Sequence, residues 1–405
     1  MTAGAGTRWP AVLAAAACGV AAAMNVGKVP VALPLLRSEF GLSLVQAGWV
    51  ASLLNTFAVV AALAVGLLAA RVGALRMVLV GLAASALASL AALGADGFAA
   101  LAGTRLLEGA GFMAVTVAGA ALISTAAAPR DRRFALGLWA CYMPLGAGFA
   151  IALAPLLQPL GGWRALWLAS ALALMAAGLA LWRQRAAFAA ADASTHRRDT
   201  TPITALLARP LPWLLALAFG TWALQHFALI VWLPTYLLER RGFGPAAVAA
   251  LTCAMLLVNV PGNLIGGALL QRGWPRGALL TGAQLATAIA GWGAFSDALP
   301  DGLRYALCLV LSFIGGLIPS SVMASTTALA HTPRQIIALQ GLYMQGSQLG
   351  QFVGTPLIAS VVAASGQWSS AGSVVAGAGL IGAALGLAAW RIEPRAARDR
   401  PAGAP

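Results

Sequence analysis

The sequence has few charged residues. Aspartate, glutamate, lysine and arginine make up 9% of its 405 residues, whereas a soluble domain carries about 25%. The shortage extends along the whole chain, because uncharged stretches recur from one end to the other. An ordinary soluble globular protein is therefore excluded. No segment remains for a soluble catalytic domain, so we do not expect an enzyme.

Cysteine and histidine are also scarce, with four and three residues. Each cysteine lies inside an apolar run, whereas disulfides belong to exposed, oxidising locations. We interpret the four cysteines as small packed residues. Because no CxxC or Cys/His spacing occurs, we expect neither a metal site nor a cofactor. The cysteines are Cys18, Cys141, Cys253 and Cys308.

Hydrophobic residues, by contrast, make up 60% of the chain. A helix that spans a bilayer needs about 20 mostly apolar residues, and the chain has room for twelve such helices. The first run resembles a secretory signal peptide, but its removal would leave an odd number of helices, so we interpret it as the first membrane helix. The predicted spans are 10–36, 43–69, 77–95, 98–126, 134–158, 165–182, 211–237, 246–270, 277–296, 303–328, 336–364 and 370–390.

The formal net charge of +14 raises the question of a nucleic-acid partner. Most basic residues, however, stand in short gaps between apolar runs, where they orient membrane proteins. We therefore expect a lipid bilayer and no nucleic acid. Eighteen basic residues fall in one set of connections and five in the other, which predicts that both termini are cytoplasmic. Abundant alanine, and arginine in place of lysine, indicate a GC-rich bacterial genome and hence a bacterial inner membrane.

The predicted orientation has a direct test. An alkaline phosphatase fused after Pro405 should be inactive, because its disulfides form only in an oxidising compartment. A fluorescent protein fused at the same place should fluoresce. An active phosphatase together with a dark fluorescent protein would contradict the twelve-helix interpretation.

The longest polar stretch divides the chain in two. We assign residues 1–182 to an N-terminal six-helix bundle, 183–210 to a cytoplasmic linker, 211–391 to a C-terminal six-helix bundle and 392–405 to a cytoplasmic tail. Short pieces repeat between the two bundles. Leu33-Pro34 recurs as Leu233-Pro234 at an offset of 200, and Tyr142-Met143 recurs as Tyr343-Met344 at 201. Repeats at nearly one offset indicate two related halves in parallel, a plan that transporters use.

The connection after the second span carries a motif. It reads Gly66-Leu-Leu-Ala-Ala-Arg71-Val-Gly73-Ala-Leu-Arg76 and resembles the G-x-x-x-D-R-x-G-x-x-R signature of the major facilitator superfamily. The resemblance implies an all-α membrane protein of twelve transmembrane helices in two pseudo-symmetric bundles. It also implies a cytoplasmic gate at Gly66, Arg71, Gly73 and Arg76. Ala70 stands where the signature has aspartate, so the usual salt bridge of this gate is missing.

Other pieces are similar to the same superfamily. The fourth span contains Arg105-Leu-Leu-Glu108-Gly109-Ala-Gly111, and Gly161-Gly-Trp-Arg164 resembles the superfamily's turn between helices five and six. Three short pieces are most similar to the cyanate-permease-type branch, which implies a small, anionic or polar organic solute. We expect a monomer. The three pieces are Gly137-Leu-Trp139, Trp232-Leu-Pro-Thr-Tyr236 and Met344-Gln-Gly346.

Three functions remain open. The first is proton-coupled uptake of a small organic anion, and the second is a proton antiporter that exports drugs or metabolites. The third, a membrane-embedded enzyme or receptor, has no supporting motif. Proton-driven exporters of the superfamily carry G-P-x-x-G-G in helix five. Met143-Pro-Leu-Gly-Ala-Gly148 is a degraded version of it, which favours uptake.

Four titratable or charged residues lie near the middle of predicted spans, where a charge costs at least ~2.5–3.5 kcal/mol. With a rise of ~1.5 Å per residue, Lys28 lies ~12 Å from the nearer end of the first span and Arg105 ~10 Å along the fourth. Glu108 and His226 lie ~15 Å deep. The resemblance implies that the first, fourth and seventh helices line the central cavity, so these residues are our main site candidates.

Two interpretations of the charges stay open. Arg105 and Glu108 stand three residues apart and share a helix face. In one interpretation they form a structural tie, with Lys28 as a further partner of Glu108. In the other, Lys28 and Arg105 outnumber Glu108 and leave one positive charge for an anionic solute, while Glu108 changes protonation during transport.

His226 is either a proton relay, because imidazole titrates near neutral pH, or a hydrogen-bonded packing residue. We include it in the predicted proton-coupling set with Arg105 and Glu108, and in the predicted substrate site with Lys28. Weaker candidates for substrate binding are polar and aromatic residues of the same and neighbouring spans, namely Asn25, Tyr142, Trp222, Gln225, Gln345 and Gln348.

Overall fold

The protein is an all-helical membrane protein. The computed structural model describes residues 6–60, 72–189, 204–330 and 333–393, and these ranges contain helices and connecting turns only. Eight of the described helices are long and apolar enough to cross a membrane by length and composition. One of the eight, Phe134–Arg183, contains two of the predicted spans. The prediction of an all-α membrane protein is therefore confirmed.

The first half of the chain forms six membrane helices within the described residues. The run Tyr142–Arg183 departs from helical geometry at Gly161 and Gly162, and this kink separates the fifth helix from the sixth. In chain order the helices are α1 (Trp9–Phe40), α2 (Leu44–Ser52, continued by the 3-10 turn Leu53–Asn55), α3 (Ala74–Ala92), α4 (Phe98–Ala126), α5 (Arg132–Ala140 and the run from Tyr142 to the kink) and α6 (from the kink to Arg183).

The second half supplies six more membrane helices. Each of the twelve predicted spans coincides with a described helix, and the second span does so in the part that the structure describes. Short helical turns, Ala186–Ala189 and Thr204–Leu207, stand between the halves. The helices are α7 (Pro210–Arg241), α8 (Pro245–Leu257 and Asn259–Gln271), α9 (Arg276–Ala294), α10 (Asp301–Gly315 and Leu317–Leu329), α11 (Pro333–Ser365) and α12 (Ser369–Ile392).

By its internal contacts the chain divides into two compact units. The first unit contains the described residues of Met1–Arg198 together with Pro234–Cys253, and the second contains those of Asp199–Leu233 and Ala254–Pro405. The predicted domains differ from these units in Pro234–Cys253, which the contacts group with the first unit. Residues 190–203 of the predicted linker and 394–405 of the predicted tail lie outside the described residues.

Small residues bring the helices of the first unit close together. A Cβ atom on Gly109 of α4 would collide with the carbonyl oxygen of Leu54, and one on Gly27 of α1 would collide with the backbone of Ala147. Such glycines let helix backbones approach closely within a membrane. The close packing holds α1 and α4 in place where their polar residues meet.

The end of α1 is held by ion pairs at two places. The Glu39 carboxylate accepts hydrogen bonds from Trp163 Nε1 and Arg164 Nη1, each at 2.7 Å. Gly162, at φ 59°, forms the turn that presents these two side chains. Two residues before Glu39, Arg37 Nη1 donates to Glu239 Oε1 at 2.6 Å, within the part of α7 that belongs to the first unit. Exposed ion pairs of this kind each contribute about 0–1 kcal/mol to the free energy of unfolding.

The predicted gate is described only in part. Gly66, Ala70 and Arg71 lie outside the described residues. Gly73 precedes α3 with φ 92°, a left-handed conformation that glycine adopts without strain. Arg76 is exposed in the first turn of α3. The role of these residues in gating stays a prediction.

Candidate functional site

A buried cluster of three charged residues lies in the first unit, where α1 and α4 meet. Lys28 Nζ lies 2.7 Å from Glu108 Oε1, and Arg105 Nη1 pairs with the other oxygen, Glu108 Oε2. The side chains of Lys28 and Glu108 are 0% exposed, and that of Arg105 is 1% exposed. Three of the four residues selected for their depth in the sequence therefore come together in one cluster, and the fourth, His226, belongs to the second unit.

Helical spacing explains how the cluster forms. Asn25 and Lys28 stand about one turn apart on α1, as Arg105 and Glu108 do on α4, so each pair lies on one face of its helix. Lys28 Nζ also donates to Asn25 Oδ1 at 2.6 Å and to Ser89 Oγ of α3 at 2.9 Å. Ser89 Oγ in turn donates to Glu108 Oε1 at 2.6 Å. The α3 hydroxyl thus links the ammonium to the carboxylate.

Arg105 also binds the backbone of two other helices. Its Nε donates to the carbonyl of Val50 on α2, and its Nη1 donates to the carbonyl of Asn25 on α1, both at 3.0 Å. A planar guanidinium with several fixed donors suits such a junction. Arg105 therefore ties α1, α2 and α4 together, as the structural interpretation expects, while it also contacts Glu108.

The charges of the cluster do not balance. Two side chains are positive and one is negative, and all three are removed from water. Buried charges are tolerated when they are paired and hydrogen-bonded, and Glu108 satisfies this condition for both cations. The Trp167 ring of α6 adds a cation–π contact, with Lys28 Nζ 4.5 Å from the ring centroid. One unit of positive charge nevertheless remains without a compensating carboxylate in the cluster.

The second unit has a polar core of its own, on α7, α9 and α10. His226 Nε2 lies 2.9 Å from Ser312 Oγ, and the Trp222 ring stacks on the imidazole at a centroid distance of 4.7 Å. Gln225 faces elsewhere, because its Nε2 donates to Gln284 Oε1 of α9 at 3.0 Å. Gln225 is fully buried in this contact, whereas Trp222 and His226 form a separate pair.

The remaining candidates are scattered. Tyr142 packs on Trp139 within α5, with ring centroids 4.8 Å apart, and it makes no contact with the charged cluster in the described contacts. On α11, Gln348 is buried and Gln345 is half-buried. Neither is joined to His226 by a described hydrogen bond. The structure thus brings Asn25, Lys28, Arg105 and Glu108 together in the first unit, whereas the other candidates except Tyr142 belong to the second unit.

Sequence reasoning missed several residues that complete the two polar cores. Ser89 and Trp167 contact Lys28 in the first unit, while Gln284 and Ser312 complete the second. Trp167 stands four residues after Trp163, and this helical spacing was a signal that both rings share one face. Among the described residues, no group of three or more His, Cys, Asp or Glu is placed to hold a metal ion.

Comparison with known proteins identifies the relatives of this chain. A family model described as Major Facilitator Superfamily matches residues 15–339. Two similar crystal structures show a bacterial homologue of the human lysosomal transporter Spinster, inward-facing, unoccupied in one and occupied in the other. The unoccupied structure has a TM-score of 0.76 at 16% identity and covers 94% of this chain and 96% of its own. The occupied structure has a TM-score of 0.74 at 16% identity and covers 95% of this chain and 96% of its own. Both structures therefore show a shared fold. The search of curated proteins finds no match.

Proposed function

This chain belongs to the major facilitator superfamily and is a secondary transporter, not an enzyme; we propose that it takes up a small organic anion across the bacterial inner membrane together with protons. The observation that carries the proposal is the buried cluster of Lys28, Arg105 and Glu108, with two positive charges and one negative. An anionic solute supplies the negative charge that this cluster lacks. The resemblance to the cyanate-permease-type branch supports the same class of solute.

The cluster offers a simple coupling scheme. Glu108 binds both cations when no solute is present. An arriving anion competes for Lys28 and Arg105, and the displaced Glu108 carboxylate then takes up a proton, because an unpaired buried charge is costly. For a solute with one negative charge, the net charge of the cluster is the same before and after this exchange. Solute and proton then cross together as the protein alternates its access.

Glu108 is the carboxylate best placed to carry the proton. Of the eleven acidic residues, the other described ones stand in connections or near helix ends, as Glu39, Glu239 and Asp301 do. His226 is the second candidate for a proton relay. With Trp222, Gln345, Gln348 and Tyr142 it remains a proposed substrate-binding residue.

The scheme predicts electroneutral uptake of a monoanion. In proteoliposomes, an acidic exterior should drive accumulation of labelled lactate or pyruvate. A membrane potential set with potassium and valinomycin should change the initial rate by less than about twofold, because the translocated charges cancel. Vesicles with Lys28→Ala protein correct for diffusion of the neutral acid. Uptake that follows the potential and ignores the pH gradient would contradict the scheme, and efflux driven by an inward proton gradient would instead support the antiporter.

A further inference from the structure

Trp167 has a buried N–H group without a partner. The residue is 0% exposed, and among the described residues nothing accepts a hydrogen bond from its Nε1. Buried tryptophan N–H groups usually find a partner. Trp163, one turn earlier on the same helix, follows that rule, because its Nε1 donates to Glu39 at 2.7 Å. The two rings touch edge to face, 5.2 Å apart, yet only one of them has its donor satisfied.

Asn25 presents a second unpaired donor beside the same lysine. Its Oδ1 accepts from Lys28 Nζ, whereas its Nδ2 has no partner within the described part of the chain. Asn25 is also 0% exposed. Both residues with unpaired N–H groups therefore contact one ammonium group, Asn25 by a hydrogen bond and Trp167 by its ring face. What this site lacks is an acceptor, and the excess of one positive charge requires that the acceptor be negative.

We propose that Trp167 Nε1 and Asn25 Nδ2 are solute-binding donors, which hold a compact monoanion with Lys28. This inference rests on the anion transport proposed above and names the class of solute more closely. A carboxylate has two oxygens and one charge, so it suits an ammonium flanked by two N–H donors. A second carboxylate on the same solute would be buried without a donor, because among the described residues no further unpaired N–H group contacts Lys28, and a buried charge without partners is costly. The class is therefore small monocarboxylates, with dicarboxylates excluded.

Two matched substitutions on α6 test the role of Trp167. Trp167→Phe keeps an aromatic face over Lys28 and removes an N–H that is unpaired without solute, so the melting temperature of the unliganded protein should fall less than in Trp163→Phe, which loses the same ring volume and a satisfied hydrogen bond as well. Its affinity for the monocarboxylate should fall about tenfold to a hundredfold, as for a lost hydrogen bond to a charged group. Trp163→Phe should show the reverse, a lower melting temperature with unchanged affinity, because its N–H binds Glu39.

The measurement is thermal shift on purified protein with acetate, lactate, pyruvate and succinate. Asn25→Asp is the second variant, because it keeps the oxygen that accepts from Lys28, replaces the N–H donor with an acceptor and supplies from the protein itself the negative charge that the cluster lacks. It should also weaken monocarboxylate binding by about tenfold or more. Succinate should not change the melting temperature of the wild-type protein. Unchanged affinity in both Trp167→Phe and Asn25→Asp would overturn the inference, while loss of binding in Lys28→Ala would leave the proposed function standing. If no monoanion raises the melting temperature of the wild-type protein, both proposals fail.

Discussion

Lys28→Ala should lose binding of the transported anion. The substitution removes the ammonium that contacts Glu108, Asn25 and Ser89, and with it the excess positive charge of the cluster. Truncating one member of a buried charge pair costs about 2–5 kcal/mol, so the affinity should fall about 30-fold or more at 1.4 kcal/mol per tenfold. Thermal shift and uptake in proteoliposomes measure the loss directly.

The matched control is Arg37→Ala, which removes a positive charge from the exposed end of the same helix. It should bind the anion normally, because Arg37 stands ~13 Å beyond Lys28 along α1 at ~1.5 Å per residue, and its pair with Glu239 is partly exposed. Folding of the Lys28→Ala protein is favoured because Glu108 keeps Arg105 and Ser89 as partners. A monodisperse Lys28→Ala protein that binds and accumulates the solute normally would show that the three charges are structural ties, the other interpretation of the sequence.

Glu108→Gln should bind and exchange the solute but lose uphill accumulation. Glutamine matches the shape of a protonated glutamate and cannot release a proton, so counterflow should persist while a pH gradient should drive no net uptake. The free energy of unfolding of the unliganded variant should also be about 3–5 kcal/mol lower than that of wild type, because two buried cations lose their shared carboxylate. A bound anion replaces that carboxylate, so the solute should raise the melting temperature of this variant more than that of wild type.

Glu39→Gln is the control for this second experiment. It removes a carboxylate from the end of α1 that binds Trp163 and Arg164 and lies outside the buried cluster. Accumulation driven by a pH gradient should survive in Glu39→Gln. If it also survives in Glu108→Gln, the proton is carried elsewhere, and His226 becomes the next residue to test.

The fold was predictable because bilayer physics acts on composition. A span must be apolar over about 20 residues, and this requirement placed the twelve predicted spans on helices, the second of them as far as the structure describes it. The buried cluster was predictable for a related reason. Charges are so rare in such helices that Lys28, Arg105 and Glu108 stood out, and helical rise gave them one common depth.

The uncharged parts of the site were not predictable in the same way. Gln225 was one of the weaker candidates for substrate binding, and its amide binds Gln284 on α9. The face that a helix turns toward its neighbour depends on how long stretches of alanine, leucine and glycine pack. Such stretches look alike on every side of the helix, so the sequence does not show which face is buried. Trp167 was overlooked for the same reason, because a tryptophan in an apolar run gives no indication that its N–H lacks a partner.

The ion pairs at the end of α1 involve two carboxylates that the internal repeat relates. Glu39 and Glu239 stand 200 residues apart, the offset that also relates Leu33-Pro34 to Leu233-Pro234. Glu39 is bound by Arg164 from the turn before α6, but the corresponding turn before α12, Ser365 to Trp368, contains no arginine. Glu239 is bound by Arg37 instead. Equivalent positions of the two halves therefore make different contacts: one carboxylate fastens α1 to the turn before α6, and the other fastens the end of α7 to α1.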